Sequence, residues 1–150
     1  MRKVLVPFVF LSSLLLLHAA PASAEVVIEN PWVRATAPGA KVAAGYLTIR
    51  NPAAAPDRLL GAASPAAARV EMHVTVKEGD IMRMREVKEL RVPARASFEL
   101  KPGGAHLMFV DIGQPYREGE KVPVTLRFER AGEVRAEFHV GGLGATRHGH

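Results

Sequence analysis

Cysteine is absent from this chain of 150 residues, and its absence narrows the chemistry that the protein can perform. Without cysteine there is no disulfide bond, no thiolate nucleophile and no thiolate metal ligand. A blue-copper electron-transfer site needs a cysteine beside two histidines, so that class is excluded. A metal site built from soft ligands must therefore take its sulfur from methionine, of which the chain has five.

Other common signals of function are missing as well. The sequence has no HExxH motif, no nucleophile beside a paired base and no close carboxylate pair in a known motif, so we expect no enzymatic activity. Basic residues outnumber acidic ones by only 20 to 15 and form no block with interleaved aromatic residues. Nucleic acid is therefore not an expected partner.

The N-terminal residues 1–24 have the composition of a secretory signal peptide. Met1-Arg2-Lys3 is basic, an apolar run follows as far as Leu17, and Ala22-Ser23-Ala24 supplies small residues for cleavage near Ala24/Glu25. The run is shorter than the roughly 20 apolar residues that a membrane span requires. The sequence therefore predicts export, with no membrane span after signal removal and a net charge of about +3 on the mature chain.

The rest of the chain has the pattern of an all-β protein. Gly and Pro recur at intervals of about eight to twelve residues and separate short runs of alternating apolar and polar residues. The clearest runs, 122–128 and 134–140, flank a turn at 130–132 and predict an antiparallel hairpin. We expect a β-sandwich or barrel of about 8–10 short strands over residues 25–140. Residues 141–150 have little apolar content and predict a flexible tail that contains histidine.

Four side chains stand out as candidate metal ligands: His73, Met84, His106 and Met108. Two imidazoles and two thioethers are a ligand set that suits Cu(I), because neutral soft donors favour a soft monovalent ion over hard divalent ones. His106 and Met108 are two residues apart, so on a strand they project to the same face. Because imidazole must be neutral to bind, copper affinity is expected to fall as the pH drops through about 6.5.

A predicted hairpin connects the other two candidate ligands. A two-residue loop at Glu78-Gly79 would place His73 directly opposite Met84, with Cβ atoms about 4.5 to 5.5 Å apart, whereas a three-residue loop would make the pair diagonal. His73 alternates out of phase with Met72 and the neighbouring valines, so it is expected to face outward if those residues fill the core. Met82 shares the face of Met84 and is either a spare ligand or a packing neighbour.

The spacing H-x10-M-x21-H-x-M resembles that of the periplasmic PCu(A)C copper chaperones, with His73, Met84, His106 and Met108 matching at each position. The segments Trp32-Val33-Arg34, 44–49 and 101–108 also look like that family's chain. The resemblance covers about residues 25–140. It implies a cupredoxin-like Greek-key fold, a periplasmic location and one Cu(I) held by these four residues.

The resemblance also implies partners. Family members supply Cu(I) for assembly of the CuA centre of cytochrome c oxidase, either to the CuA-bearing subunit directly or through a Sco-type thiol protein. We expect a monomer. His148 and His150 in the tail are a possible secondary Cu(II) site, by analogy with the His-bearing extensions of such proteins.

Two other interpretations remain open from the sequence. One is a general periplasmic copper-binding or homeostasis protein with no dedicated oxidase acceptor. The other is a structural or adhesive sandwich in which the histidines and methionines are incidental. The second predicts that His73→Ala and Met108→Ala leave copper binding unchanged.

Overall fold

The structure, a computed structural model, describes residues 25–146 and contains ten β-strands and no helix in that range. The strands are β1 (Val27–Arg34), β2 (Val42–Asn51), β3 (Asp57–Ala63), β4 (Ala67–Glu78), β5 (Ile81–Val87), β6 (Leu90–Val92), β7 (Ala96–Leu100), β8 (His106–Ile112), β9 (Lys121–Phe128) and β10 (Glu133–Gly141). The predicted all-β fold is confirmed. Across the described range, 25–146, no helix is available to cross a bilayer. The predicted signal peptide, His148 and His150 lie outside the described residues.

Seven of the strands form a closed barrel. Their order is β4–β8–β2–β1–β10–β9–β3, and β3 returns to β4 through the pairing of Ala62 with Val70. Neighbouring strands are antiparallel except for β1 and β10, which run parallel. β5 lies outside the barrel on the free edge of β4, so it has a strand partner on one side only.

The barrel interior is filled by the alternating apolar residues of its strands. In β9 these are Val122, Val124, Leu126 and Phe128, all buried. β9 pairs with β10 from Lys121 to Arg127, which confirms the hairpin that the alternation predicted. Each buried side chain of this size contributes roughly 1.5–3 kcal/mol, so packing supplies the stability that disulfides would otherwise add.

The β4–β5 hairpin differs from the sequence prediction by two residues in register. Its turn is Gly79-Asp80, because Gly79 has a φ of 62° and glycine takes this left-handed conformation without a steric penalty. Glu78 is the last paired residue of β4 and forms ion pairs with Arg83 and Arg85 of β5. The predicted loop at Glu78-Gly79, and with it the directly opposed His73–Met84 pair, is therefore wrong.

Strands β2 and β8 approach closely in the part of the barrel beneath the candidate ligands. A Cβ atom added to Gly45 of β2 would lie 2.6 Å from Cε2 of Phe109, which is fully buried in β8. Gly45 pairs with Leu107, between His106 and Met108. The absence of a side chain at Gly45 thus lets the core ring of Phe109 pack under the strand that carries both residues.

Candidate metal centre

The two candidate histidines face each other across neighbouring strands. His73 of β4 is the register partner of His106 of β8, and their ring centroids are 5.5 Å apart. Met72 precedes His73 in β4, Leu107 follows His106 in β8, and both are buried in the core. Because successive side chains of a strand point to opposite faces, both imidazole rings lie on the outer face of the barrel. The prediction that His73 is on the outer face and Met72 in the core is confirmed.

Although they are on the outer face, neither ring is freely exposed. His106 is only 6% exposed, and the side chain of His73 is 17% exposed. Burial lowers the pKa of His106 below its usual 6.5, the nearby His73 lowers it further, and the hydrogen bond to Gly104 partly opposes the shift. His106 is therefore neutral at neutral pH, the state in which imidazole can bind a metal.

Each ring has one nitrogen in a hydrogen bond to a protein acceptor. Nε2 of His73 donates to Oε2 of Glu71 at 2.9 Å, and Nδ1 of His106 donates to the backbone oxygen of Gly104 at 3.1 Å. Nδ1 of His73 is buried and has no hydrogen-bond partner in residues 25–146. A buried ring nitrogen needs a partner, and a bound metal ion would supply one to Nδ1 of His73.

Met108 lies next to the histidine pair on the same outer face. It is the register partner of Glu71 in β4 and of Ala44 in β2, two residues along β8 from His106. The side chain is half-buried and lines an open groove of about 290 Å³, together with Arg34, Ala44 and Leu143. A thioether at this position is close to the imidazoles in register and accessible from solvent.

Met84 is on the same face but in a different environment. Its register partner is Thr75, two residues from His73, so Met84 and His73 are diagonal neighbours across the β4–β5 hairpin. Met84 is 61% exposed, and Met82 on the same face is 59% exposed. Met82 lies two residues further along β5, opposite Lys77, so it is more distant in register from His73 than Met84 is.

Tyr46 of β2 and Trp32 of β1 form an aromatic wall beside the two imidazoles. Tyr46 lies 6.5 Å from His106 and 4.6 Å from Trp32, measured between ring centroids, and both aromatic side chains are buried. The guanidinium of Arg34 sits over the Tyr46 ring and donates to the backbone oxygen of Ala145. Burial raises the pKa of Tyr46, and Arg34 partly opposes this. The first residues of the predicted tail, 141–145, thus contact the barrel beside the wall.

Glu71 is a residue of this site that the sequence interpretation missed. Its carboxylate contacts His73 and also accepts from Nε of Arg69 at 2.6 Å. The hydrogen bond from His73, with that from Arg69, holds the pKa of Glu71 below its usual value, so the carboxylate is ionised at neutral pH. Arg69, Glu71 and His73 alternate along one strand, and this period of two was the signal that could have identified Glu71.

The site contains too few hard ligands for most divalent ions. Within residues 25–146, no group of three or more His, Cys, Asp or Glu side chains is placed to hold a metal ion. The donors gathered on the outer face are instead two imidazoles, with Met108 beside them and Met84 diagonal to them. Imidazole nitrogen and thioether sulfur are donors that suit copper, so this set is compatible with a copper ion.

Two sequence comparisons show which known proteins this chain is similar to. The sequence profile of the family described as "Putative lipoprotein LpqE-like" matches residues 26–140. "Putative lipoprotein Lxx21020" of Leifsonia xyli is 34% identical over 117 residues, which are 72% of this chain and 69% of that protein.

Solved structures with a similar fold include copper-bound proteins. The copper-bound PCuAC domain from PmoF2 is 31% identical, with a TM-score of 0.70 over 81% of this chain and 96% of that one. The Cu(I) form of DR1885 from Deinococcus radiodurans is 28% identical, with a TM-score of 0.61 over 83% of this chain and 81% of that one. These matches confirm the resemblance stated from the sequence and the cupredoxin-like fold that it implied.

Proposed function

Because this chain belongs to the LpqE-like family, the family of PCuAC domains, we propose that it is a copper chaperone that binds one Cu(I) through His73, Met84, His106 and Met108. The observation that supports this most is the cross-strand pair of His73 and His106 on the outer face, with Met108 in the adjacent register position. Two of the structural relatives with this fold are copper-bound, so copper is the cargo that the comparison favours.

The same arrangement supports release to a partner. Met84 extends the site onto an exposed edge strand, where an incoming thiolate can reach the ion without disturbing the barrel. Thioethers carry no charge and no proton, so a thiolate can replace one of them without a proton being taken up. Ligand exchange of this kind moves Cu(I) one bond at a time and needs no change of fold.

We further propose that the protein is exported, that it is periplasmic, and that it delivers copper for the CuA centre of cytochrome c oxidase. Relatives named as lipoproteins support export. The acceptor is the CuA-bearing subunit or a Sco-type thiol protein. His148 and His150 are proposed as a weaker Cu(II) site in the tail, separate from the Cu(I) site on the barrel.

Anaerobic competition for Cu(I) against a chromogenic chelator tests the binding site. Wild type is compared with four single alanine variants, at His73, Met84, His106 and Met108, and with a chain truncated after Gly144. Met82→Ala is the matched control, because Met82 is as exposed as Met84 and lies on the same face of β5. We expect one Cu(I) per chain, weakened by each of the four substitutions and unchanged in the control and the truncated chain.

Transfer assays then separate the two functions that the sequence left open. Cu(I)-loaded protein is mixed with the isolated CuA-bearing domain or with a reduced Sco-type protein, and copper is followed by the spectrum of the acceptor. Transfer to either one supports oxidase assembly. Tight binding without transfer to either would instead support a general role in copper homeostasis.

A further inference from the structure

We propose that Glu71 is a positioning residue for the copper site, because it holds the ring of His73 so that Nδ1 is the nitrogen that binds Cu(I). In His106, the nitrogen that binds Cu(I) is Nε2. The two histidines would then use different ring nitrogens. This inference rests on the proposed function, since it concerns how the same site takes its ion.

The hydrogen-bond partners decide which nitrogen carries the proton in each ring. An ionised carboxylate and a backbone carbonyl can only accept, so Nε2 of His73 and Nδ1 of His106 must be the donors. A neutral imidazole carries one N–H. The lone pairs available to a metal are therefore on Nδ1 of His73 and Nε2 of His106.

The environment of His73 supports the same assignment. Nδ1 is its one buried nitrogen without a partner, whereas Nε2 is already bonded to Glu71. Binding through Nε2 would require the ring to turn and break the bond to Glu71. Binding through Nδ1 keeps that bond and gives the orphaned nitrogen a partner.

Glu71 is itself held in place, which is what a positioning role needs. Its other carboxylate oxygen accepts from Arg69, and its side chain is only 20% exposed. A carboxylate that accepts from a ligating histidine fixes the ring orientation and makes the other nitrogen a better donor. Glu86 provides the contrast: it is the register partner of His73 on β5, but its carboxylate bonds to Lys88.

The test combines long-range ¹H–¹⁵N NMR of the imidazoles with Cu(I) competition. In Cu(I)-loaded wild type, we expect His73 to keep its proton on Nε2 and His106 to keep its proton on Nδ1. Glu71→Ala should lower Cu(I) affinity by about 10- to 100-fold. Glu71→Gln should stay close to wild type, because the amide oxygen can still accept from Nε2, and Glu86→Ala should have no effect.

Two results would overturn the inference. One is copper on Nε2 of His73 in the wild-type protein, a measurement that does not depend on any variant folding. The other is equal affinity for Glu71→Ala and Glu86→Ala, with matching melting temperatures for both copper-free proteins. If His73→Ala also left the affinity unchanged, the proposed copper site itself would be rejected rather than the role of Glu71.

Discussion

His106 and Met84 are both proposed copper ligands, yet they lie in opposite kinds of environment. His106 is 6% exposed, belongs to a barrel strand with partners on both sides, and has a hydrogen-bonded ring. Met84 is 61% exposed and belongs to β5, an edge strand that pairs only with β4. The site thus has a buried half, formed by the two imidazoles, and an exposed half at Met84.

The difference suggests how one small site can both hold an ion and pass it on. Imidazoles fixed by a carboxylate and a carbonyl lose little freedom when they bind, which favours affinity. A thioether on an exposed edge is the ligand that a partner reaches first. The comparison predicts that changes in the buried half alter affinity and stability, whereas changes in the exposed half mainly alter exchange.

The largest effect is expected from His106→Ala. It removes a ligand from the buried half, so Cu(I) affinity should fall by more than the roughly 10- to 100-fold that is typical of losing a residue that only supports a ligand. Competition against a chelator measures this, with the melting temperature of the copper-free protein as the check on folding. A loss smaller than about tenfold would remove His106 from the ligand set.

Gly45→Ala should test the rigidity of the barrel beneath the buried half. The new methyl group would lie 2.6 Å from the Phe109 ring, and overpacking of this kind costs about 1–3 kcal/mol in the free energy of unfolding. Denaturant unfolding measures it. Gly113→Ala is the control, because nothing lies within 4 Å of its Cβ position and it should be nearly neutral. Equal stability of the two variants would contradict tight packing at Gly45.

Met84→Ala should separate affinity from exchange. We expect affinity to fall by about tenfold, or 1.4 kcal/mol, which is less than for His106→Ala. The free energy of unfolding should change by less than about 0.5 kcal/mol, because the side chain is exposed. Transfer of Cu(I) to a thiol acceptor should become faster, as stopped-flow mixing would record. An affinity loss equal to that of His106→Ala would abolish the distinction between the two halves.

The smallest effect concerns pH. Protons compete with Cu(I) for the imidazole of His106, and burial holds the pKa of this ring below 6.5. The ring stays neutral to a lower pH than an ordinary histidine. Protonation of His106 should therefore weaken Cu(I) binding only below about pH 6.5. NMR titration of the copper-free protein measures this pKa directly. A midpoint for His106 above 6.5 would contradict the burial seen in the structure.

Local pattern was enough to predict much of the barrel. The alternation in β9 and β10 predicted their hairpin, since period two fixes which residues face the core. The same period of two predicted that Met72 faces the barrel core and His73 the outer face. The rule does not extend to β1, where Asn30 has a φ of 49° and the register shifts between Glu29 and Trp32, so the alternation is interrupted. The parallel pairing of β1 with β10 joins strands distant in sequence, which no local pattern reveals.

For the candidate site, the sequence supplied the proposed ligands, which stay a prediction, but not their relative positions. Spacing and family resemblance singled out His73 and His106, yet their direct opposition depends on the β4–β8 register, which the sequence does not fix. The predicted register partner of Met84 was wrong by two residues, because the backbone angle of Gly79 sets the turn at Gly79-Asp80. Glu71 was missed because a charged residue on a strand usually faces solvent.

X-ray absorption at the copper edge of Cu(I)-loaded protein identifies the atoms that bind the ion. We expect two nitrogens and two sulfurs around one copper, with one sulfur lost in Met84→Ala and one nitrogen lost in His106→Ala. A shell of nitrogen and oxygen alone, or one that neither substitution changes, would contradict binding at the paired imidazoles and thioethers of this barrel face.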